Sequence, residues 1–277
     1  MQFVEVLAPA KINLSLRVLR RRDDGFHEIE TFIAPITLCD SLEITSCEQF
    51  EFRCSDPTLP ANEHNLVVRA ARAFFAATSI APNVLLVLSK RIPHGAGLGG
   101  GSSDAAATLR GLDRFFATQL APERLAGLAA ELGSDVPFFM QATAAICRGR
   151  GEIVTPAAIS ARLSLLLLKP EFGVATSWAY SRWCNAPELP GINYEAQQLG
   201  NHAFVNDLER PVFEKFVFLA YAKAWLSRQP EVAAALLSGS GSTLFAVLRD
   251  AASAQDVINR ARAELDRDLW AQACETI

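Results

Sequence analysis

The sequence predicts an α+β fold in two packed halves, and three observations support this prediction. The first 55 residues are rich in β-branched and aromatic residues, which is typical of strands. The rest of the chain alternates segments of helical periodicity with short apolar runs. No internal repeat or low-complexity linker interrupts the 277 residues, which suffice for two ordinary domains. We therefore expect two domains, residues 1–155 and 156–277.

The first domain is expected to begin with strands and to continue with helices. The predicted strands are FVEVLA (3–8), INLSLRVL (12–19), EIETFIAPI (28–36) and LEITSCEQFEFRC (42–54), with turns at 22–25 and 39–41. A helix with one apolar face is predicted over 62–78, with Asn62 as its cap. The remaining predicted elements of this domain are a strand over 83–90 and helices over 103–116 and 122–132.

The rest of the chain is expected to alternate strands and helices. AAICRGRGEIVTPA (144–157) predicts a strand, a turn and a second strand, and LSLLLLKP (163–170) predicts a strand buried on both faces. A glycine turn leads into a predicted strand in SGSGSTLFAVL (238–248). Helices are predicted over 175–184, 206–227 and 251–266.

Composition and charge exclude several classes of protein. The net charge of −4 and the lack of like-charge blocks argue against nucleic acid as the main partner. The first residues lack the pattern of a secretion signal, and the longest apolar run is too short to span a bilayer. Six scattered cysteines without a C-x-x-C pair predict reduced thiols, and four histidines without ligand spacing make a zinc site unexpected. We expect a cytoplasmic protein without a membrane partner.

The most informative segment is PHGAGLGGGSS (93–103), which contains five glycines and leads into a predicted helix. It matches the dinucleotide fingerprint formally, but it lacks the strand and acidic residue that this motif requires. The P-loop and the protein-kinase loop also fail, because no G-K-[ST], H-R-D or D-F-G follows. Glycines, serine hydroxyls and a helix N-terminus nevertheless favour a bound phosphate group. The alternative is a flexible loop that Ser103 caps.

Four segments resemble the GHMP kinases. PHGAGLGGGSSDAAATL is similar to the phosphate-binding motif of that superfamily, and GSGSTLFA (239–246) is similar to its third motif. PAKINLSLRVLRRRDDGFHEIET (9–31) and LGSDVPFFM (132–140) resemble segments of its 4-diphosphocytidyl-2-C-methyl-D-erythritol kinases. The resemblance runs in order from about residue 8 to residue 247, and the last thirty residues carry no matching motif.

The resemblance implies a GHMP kinase fold, with an N-terminal domain like domain 2 of ribosomal protein S5 and a ferredoxin-like C-terminal domain. It implies transfer of a phosphoryl group from ATP to the 2-hydroxyl of 4-diphosphocytidyl-2-C-methyl-D-erythritol, in the non-mevalonate route to isoprenoid precursors. Mg²⁺ is expected as the counter-ion of ATP, without a dedicated protein cage. The expected partner is this small-molecule substrate, and the expected state is a monomer or a weak homodimer.

The resemblance assigns catalysis to Asp135 and Lys11. Asp135 would take the proton of the hydroxyl, and Lys11 would keep that carboxylate ionised and stabilise the developing alkoxide. The alternatives are a helix cap for Asp135 and a solvated strand edge for Lys11. Asn13 lies two residues from Lys11 and therefore on the same face of a strand, where it is expected to bind the substrate.

The expected substrate site also includes aromatic residues. Phe26 stands where the family usually has tyrosine, and it would stack on cytosine while His27 reads the edge of the base. Tyr180 would supply a second aromatic ring, and Thr176 a hydroxyl nearby. Core packing is the alternative for Phe26 and for Tyr180.

The resemblance assigns ATP binding to the glycine-rich segment and two further residues. The segment residues are Pro93, His94, Gly95, Ala96, Gly97, Leu98, Gly99, Gly100, Gly101, Ser102 and Ser103. Asn65 would lie near the nucleotide or cap a helix, and Lys90 would face phosphate or end a solvated strand. Only Ser103 and Asp135 are candidate metal ligands. Asn206 and Asp207 match a family segment with an expected structural role close to the site.

Three other functions compete with this prediction. Another small-molecule GHMP kinase would share the glycine motif but not the N-terminal signature. A diphosphate decarboxylase of the same superfamily uses ATP and also keeps an aspartate. A non-catalytic nucleotide-binding regulator would be favoured by loss of Lys11 or Asp135, and both are present.

Overall fold

A computed structural model describes residues 3–141 and 143–277. Its strands are β1 Phe3–Arg21, β2 His27–Ser46, β3 Glu51–Cys54, β4 Val84–Ser89, β5 Ala145–Gly149, β6 Ile153–Pro156, β7 Ser164–Lys169, β8 Gln197–Leu199, β9 His202–Asn206, β10 Val232–Leu237, β11 Leu244–Leu248 and β12 Trp270–Glu275. Its α-helices are α1 Leu66–Thr78, α2 Gly100–Phe116, α3 Pro122–Leu132, α4 Val136–Gln141, α5 Thr176–Arg182, α6 Glu209–Lys215, α7 Val217–Ser227 and α8 Ala254–Glu264.

The first sheet is built around the long antiparallel pair of β1 and β2. Its strand order is β3-β4-β2-β1-β9-β8, and β5 joins the other half of β2 and carries β6. Helices α1 to α4 cover one face of this sheet with a core rich in phenylalanine, which includes Phe74, Phe138 and Phe139. β9 runs parallel to β1 at Ser15 and Leu16, so a later part of the chain returns to this sheet.

Two breaks predicted in the first strands are absent. β1 runs without interruption through residues 9–11, and β2 runs through the predicted turn at 39–41. Asp40, a common turn former, does not bond its own backbone here. Its carboxylate instead accepts hydrogen bonds from the backbone N–H of Arg91, at 2.5 Å, and of Ile92, at 2.9 Å. The turn at 22–25 is confirmed, with Gly25 at φ +86°.

Two helices begin at other residues than predicted. The N-cap of α1 is Asn65, whose side chain accepts a hydrogen bond from the backbone N–H of Val67. Of the two caps considered, Asn65 is therefore confirmed, whereas Asn62 accepts a hydrogen bond from the backbone N–H of His64 within a turn. Helix α2 begins at Gly100, so the end of the glycine-rich segment forms its first turn.

The second sheet is antiparallel, with the order β10-β11-β7-β12. Leu166 and Leu168 of β7 face a core that helices α6, α7 and α8 complete. Leu165 and Leu167 face the opposite way and pack, together with Phe245, against residues of β1 and β2. Burial on both faces explains the continuous apolar run of β7.

The second half also departs from its prediction. The helix predicted over 206–227 is two helices, α6 and α7, because the backbone leaves helical geometry at Phe216, with φ −110° and ψ 67°. Strands β8, β9, β10 and β12 were not predicted, since their sequences carry little β-branched content. Across residues 3–141 and 143–277, no helix is long and apolar enough to cross a membrane.

Candidate active site

One cavity of about 1060 Å³ lies between the two sheets. Its wall is formed by strand β1, the glycine-rich segment, the loop before α4, helix α5 and the turn between β10 and β11. Drug-sized ligands fill pockets of roughly 300–1,000 Å³. This cavity lies just above that range, so it has room for one large ligand or for two smaller ones.

The glycine-rich segment forms one end of the cavity wall. Its wall residues are Pro93, His94, Gly95, Ala96, Gly97, Leu98, Gly99, Gly100, Gly101 and Ser102. Gly97 has φ +74°, and a Cβ placed on it would lie 2.2 Å from the carbonyl oxygen of Ser238. The segment therefore needs glycine here to pack against the turn that follows β10.

Ser103, which was predicted to belong to the nucleotide site, does not line the cavity. Because α2 begins at Gly100, Ser103 lies inside the helix, where it is fully buried and is not part of the cavity wall. Within the described residues its hydroxyl has no hydrogen-bond partner. A direct contact of the Ser103 side chain with ATP is thus not supported.

Lys11 lies beneath the glycine-rich segment. Its ammonium group donates to Asn13 Oδ1 at 2.7 Å and to the carbonyl oxygen of Gly97 at 2.9 Å. Burial lowers the pKa of Lys11, and the nearby carboxylate of Asp135 opposes this shift. The predicted alternative, a solvated strand edge, is wrong, because Lys11 is only 5% exposed.

Asp135 enters the wall from the loop between α3 and α4. It is half-buried, and its carboxylate makes no hydrogen bond within the described part of the chain. It is close enough to Lys11 for the two charges to interact. Cys147 lies behind this pair, and burial, together with Asp135, raises the pKa of its thiol to about 12. The thiol is therefore neutral, and Asp135 supplies the carboxyl group closest in charge interaction to Lys11.

Asn13 is held in place by a chain of hydrogen bonds that the sequence did not reveal. Its amide nitrogen donates to Thr31 Oγ1 at 2.8 Å, and the Thr31 hydroxyl donates to the carbonyl oxygen of Ser15 at 2.6 Å. This fixes the amide with its oxygen toward Lys11. Thr31 lies at the cavity wall on β2, a strand without any motif of its own.

The opposite end of the cavity is aromatic. The ring of His27 lies 5.3 Å from that of Tyr180 and 6.0 Å from that of Trp183, between centroids. Burial, followed by the charge of Arg21, lowers the pKa of His27 and favours the neutral ring. Tyr180 also packs on a small apolar cluster, so the alternative of core packing is confirmed for a residue that lines the cavity as well.

Phe26 is not a core residue, because half of its surface is exposed and it lines the cavity. The guanidinium carbon of Arg150 lies 4.6 Å from the centroid of its ring, a cation–π contact. Arg150 also lines the cavity and was not singled out from the sequence. The sequence did not point to Arg150 as a cavity residue, because Arg150 stands in a predicted turn between two strands.

Lys90 lines the cavity, but its ammonium group is already paired. It contacts the carboxylates of Asp40 and of Asp104, the latter at 2.7 Å. A direct contact with phosphate is therefore not supported, and the charge of Lys90 serves to join β2, β4 and α2. Asn65 also lines the cavity and is the N-cap of α1, so both roles considered for it remain compatible.

The turn between β10 and β11 reaches the cavity at Gly239 and Ser240. Asn206 donates to the carbonyl oxygens of Leu237 and Gly239, at 2.8 and 2.7 Å. Asp207 accepts from the backbone N–H of Val18 at 2.9 Å. These two residues hold the turn and β1 close to the site, which is the structural role predicted for them.

Comparison with known proteins identifies the family. The family model "GHMP kinases N terminal domain" matches residues 65–143, and "GHMP kinases C terminal" matches residues 194–267. The chain is 39% identical, over 284 aligned residues, to 4-diphosphocytidyl-2-C-methyl-D-erythritol kinase of Methylacidiphilum infernorum, covering 99% of this chain and 97% of that protein. The chain belongs to the 4-diphosphocytidyl-2-C-methyl-D-erythritol kinase family of GHMP kinases.

Other relatives agree with this family. The enzyme of the same name from Bacillus subtilis is 36% identical, covering 94% of this chain and 93% of that one. A crystal structure of 4-(cytidine 5'-diphospho)-2C-methyl-D-erythritol kinase superposes with a TM-score of 0.79 at 34% identity, covering 99% of both chains. Mevalonate kinase from L. major, at 13% identity and a TM-score of 0.68, shares the fold. The predicted GHMP kinase fold is confirmed.

Proposed function

We propose that this chain transfers the γ-phosphoryl group of ATP to the 2-hydroxyl of 4-diphosphocytidyl-2-C-methyl-D-erythritol, giving ADP and the 2-phosphate. One observation carries the proposal. A single cavity is lined by the glycine-rich segment and by an aromatic end. Lys11 bonds to Gly97 of that segment, and Asp135 is close enough to both Lys11 and Tyr180 for their charges to interact. The near full-length relation to enzymes of that name supports the choice of substrate and the place in the non-mevalonate route.

The geometry supports separate roles for the glycine-rich segment, Asp135 and Lys11 in phosphoryl transfer. The backbone N–H groups of the glycine-rich segment and of the first turn of α2 would bind the phosphates. Asp135, as the unpaired carboxylate on the wall, would orient the substrate hydroxyl and accept its proton. The buried ammonium of Lys11 would stabilise the negative charge that develops on the attacking oxygen, and the contact with Gly97 O links it to the phosphate site.

The aromatic end would bind the cytidine part of the substrate. We propose that Phe26 and Tyr180 offer their rings to the base and that neutral His27 reads its hydrogen-bonding edge. Asn13, held by Thr31, would bind the acceptor next to Lys11. Thr176, at the start of α5, would add a hydroxyl contact.

Mg²⁺ is proposed as the counter-ion of ATP. Within residues 3–141 and 143–277 no three His, Cys, Asp or Glu residues are placed to hold a metal. This fits an ion that binds mainly through phosphates and water. Of the two predicted ligands, Asp135 lies on the cavity wall and Ser103 does not, so Asp135 is the protein group that would hold it. When bound, the ion would neutralise charge on the phosphates.

The domain boundary and the assembly state remain proposals. We propose that the domains meet between residues 155 and 156, at the last residue of β6 and before β7. We also propose a cytoplasmic monomer or weak homodimer, which sedimentation of the purified protein would test.

The experiment that tests the function is a coupled assay of ADP release with Mg-ATP and three acceptors. The acceptors are 4-diphosphocytidyl-2-C-methyl-D-erythritol, mevalonate and homoserine. We expect rapid release with the cytidine acceptor alone, and a product heavier by one phosphate. Turnover of mevalonate or homoserine instead would reject the substrate, and ATP consumption with release of CO₂ would reject the reaction.

A further inference from the structure

In the turn between β10 and β11, the hydroxyl of Ser240 differs from those of the neighbouring serines in its hydrogen-bond partner. Ser238 donates its hydroxyl to the carbonyl oxygen of Gly97, and Ser242 donates its hydroxyl to that of Phe172, so both are used within the protein. Ser240 instead meets another hydroxyl, with Oγ 2.9 Å from Thr176 Oγ1. Both members of this pair line the cavity.

The turn that carries Ser240 passes next to the proposed reaction centre. Gly239, the residue before Ser240, has φ +57°, and a Cβ placed on it would lie 3.2 Å from Lys11 Nζ and 3.3 Å from Asn13 Oδ1. The turn therefore passes directly by the ammonium group. Ser240 is only 6% exposed, so a ligand that reaches it displaces little water and meets a fixed partner.

The pair can donate to a phosphate oxygen, but an alcohol uses more of its hydrogen-bonding groups. Two hydroxyls carry two protons, and the hydrogen bond between them uses one. The pair thus keeps one donor and several acceptor lone pairs, without any charge. A substrate hydroxyl both donates and accepts and satisfies both, whereas a phosphate oxygen only accepts.

We propose that Ser240, together with Thr176, binds a second hydroxyl of the acceptor, adjacent to the one that is phosphorylated. This inference rests on the proposed kinase function and assigns part of the acceptor specificity to the turn after β10. In 2-C-methyl-D-erythritol the reacting hydroxyl on carbon 2 has neighbours on carbons 1 and 3. One of these two would be the hydroxyl that Ser240 contacts.

The test compares Ser240→Ala with wild type on the full acceptor and on its 1-deoxy and 3-deoxy analogues. A lost hydrogen bond to a substrate hydroxyl weakens the interaction about 10-fold or more. We expect Ser240→Ala to raise the KM for the full acceptor by about that factor and to leave the KM for ATP unchanged. One of the two analogues lacks the hydroxyl that Ser240 would bind. For that analogue, Ser240→Ala should not change the KM, because the hydrogen bond is already missing.

Two controls separate binding from a structural role. Ser240→Thr keeps the hydroxyl and should restore the KM for the acceptor. Ser242→Ala removes a hydroxyl of the same turn that does not line the cavity, and it should lower the unfolding temperature without changing the KM for the acceptor.

An equal loss for Ser240→Ala on the full acceptor and on both deoxy analogues would overturn the proposal, because the hydroxyl would then act only within the protein. If wild type turns over another alcohol and not the cytidine acceptor, the proposed function fails. The same comparison with deoxy analogues of that alcohol would then decide the role of Ser240 separately.

Discussion

The packing of Gly97 against the second half of the chain gives a prediction in which strain and crowding can be separated. Gly95 and Gly97 both have positive φ, +63° and +74°. Alanine at either position costs roughly 1–2 kcal/mol for the left-handed backbone. A Cβ on Gly95 meets nothing within 4 Å, whereas one on Gly97 lies 2.2 Å from Ser238 O and 2.9 Å from Gly241 O. Overpacking adds about 1–3 kcal/mol. Gly97→Ala should therefore cost about 2–5 kcal/mol in total, and Gly95→Ala about 1–2 kcal/mol.

Urea unfolding followed by circular dichroism measures both costs, and the ADP-release assay measures their effect on turnover. Gly97→Ala should also lower kcat, because the Gly97 carbonyl accepts the hydrogen bond of Lys11 and would have to move. Gly95→Ala should lower kcat less than Gly97→Ala does, because a Cβ on Gly95 meets no atom within 4 Å. Equal free energies of unfolding for the two variants would refute the reasoning, since the contact with Ser238 would then cost nothing.

Three further predictions follow from the site. Asp135→Asn should keep the fold and ATP binding but lower kcat by a factor of roughly 10²–10⁴, the usual contribution of a general base; turnover near that of wild type would remove Asp135 from this role. Burial, against the opposing charge of Lys90, raises the pKa of Asp104 to about 7 from 3.8. The folded protein therefore keeps a proton that the unfolded chain releases, and Asp104 makes folding less favourable as pH rises from about 4 to 7. At about 1.36 kcal/mol per pH unit, the free energy of unfolding lost through Asp104 over this pH range is at most about 4 kcal/mol. Asp104→Asn should therefore raise the free energy of unfolding more at pH 8 than at pH 4. An equal change at both pH values would contradict this. Phe26→Ala should raise the KM for the cytidine acceptor about 10-fold, because the ring no longer stacks on the base. Phe26→Leu keeps apolar bulk but no ring, so its KM should stay close to that of the alanine variant. A KM like that of wild type for the leucine variant would show that stacking is not used.

The sequence indicated the fold class and many residues of the cavity wall, but not where several strands and helices begin and end. Lys11, Asp135 and the glycine-rich segment stand in motifs, so their family resemblance was visible without any structure. Thr31 and Arg150 lie on the same cavity wall but stand in ordinary strand and turn sequence. Their roles depend on which residues the fold places opposite them.

Lys90 shows why a local reading of a charge can mislead. Beside a glycine-rich segment, a lysine suggests a phosphate contact. Its actual partners are Asp40, fifty positions earlier in the chain, and Asp104, inside a helix. The same Asp40 suggested a turn that does not form, because its turn-forming carboxylate is used by the residues after β4. Long-range pairing overrode the local preference in both cases.

The strands that the sequence did not reveal share a different cause. β10 reads VAAALL and β12 reads WAQACE, and both contain alanines that are more typical of helices. They form strands because β7 and β11 offer open edges that pair with them. Tertiary pairing decided their structure rather than intrinsic preference.

The hydrogen bond from Ser238 to Gly97 has a consequence for the order in which the enzyme matures during synthesis. The chain emerges from the ribosome from its N-terminus, and domains generally fold as they appear. The phosphate-binding segment and both proposed catalytic residues are made in the first half. Their support, however, comes from residues 238–243, which bond to Ala96 and Gly97 from near the far end of the chain. A nascent chain that already contains the glycine-rich segment, Lys11 and Asp135 therefore still lacks the hydrogen bonds that support its proposed nucleotide site, and that site is completed only after residues 238–243 have been made.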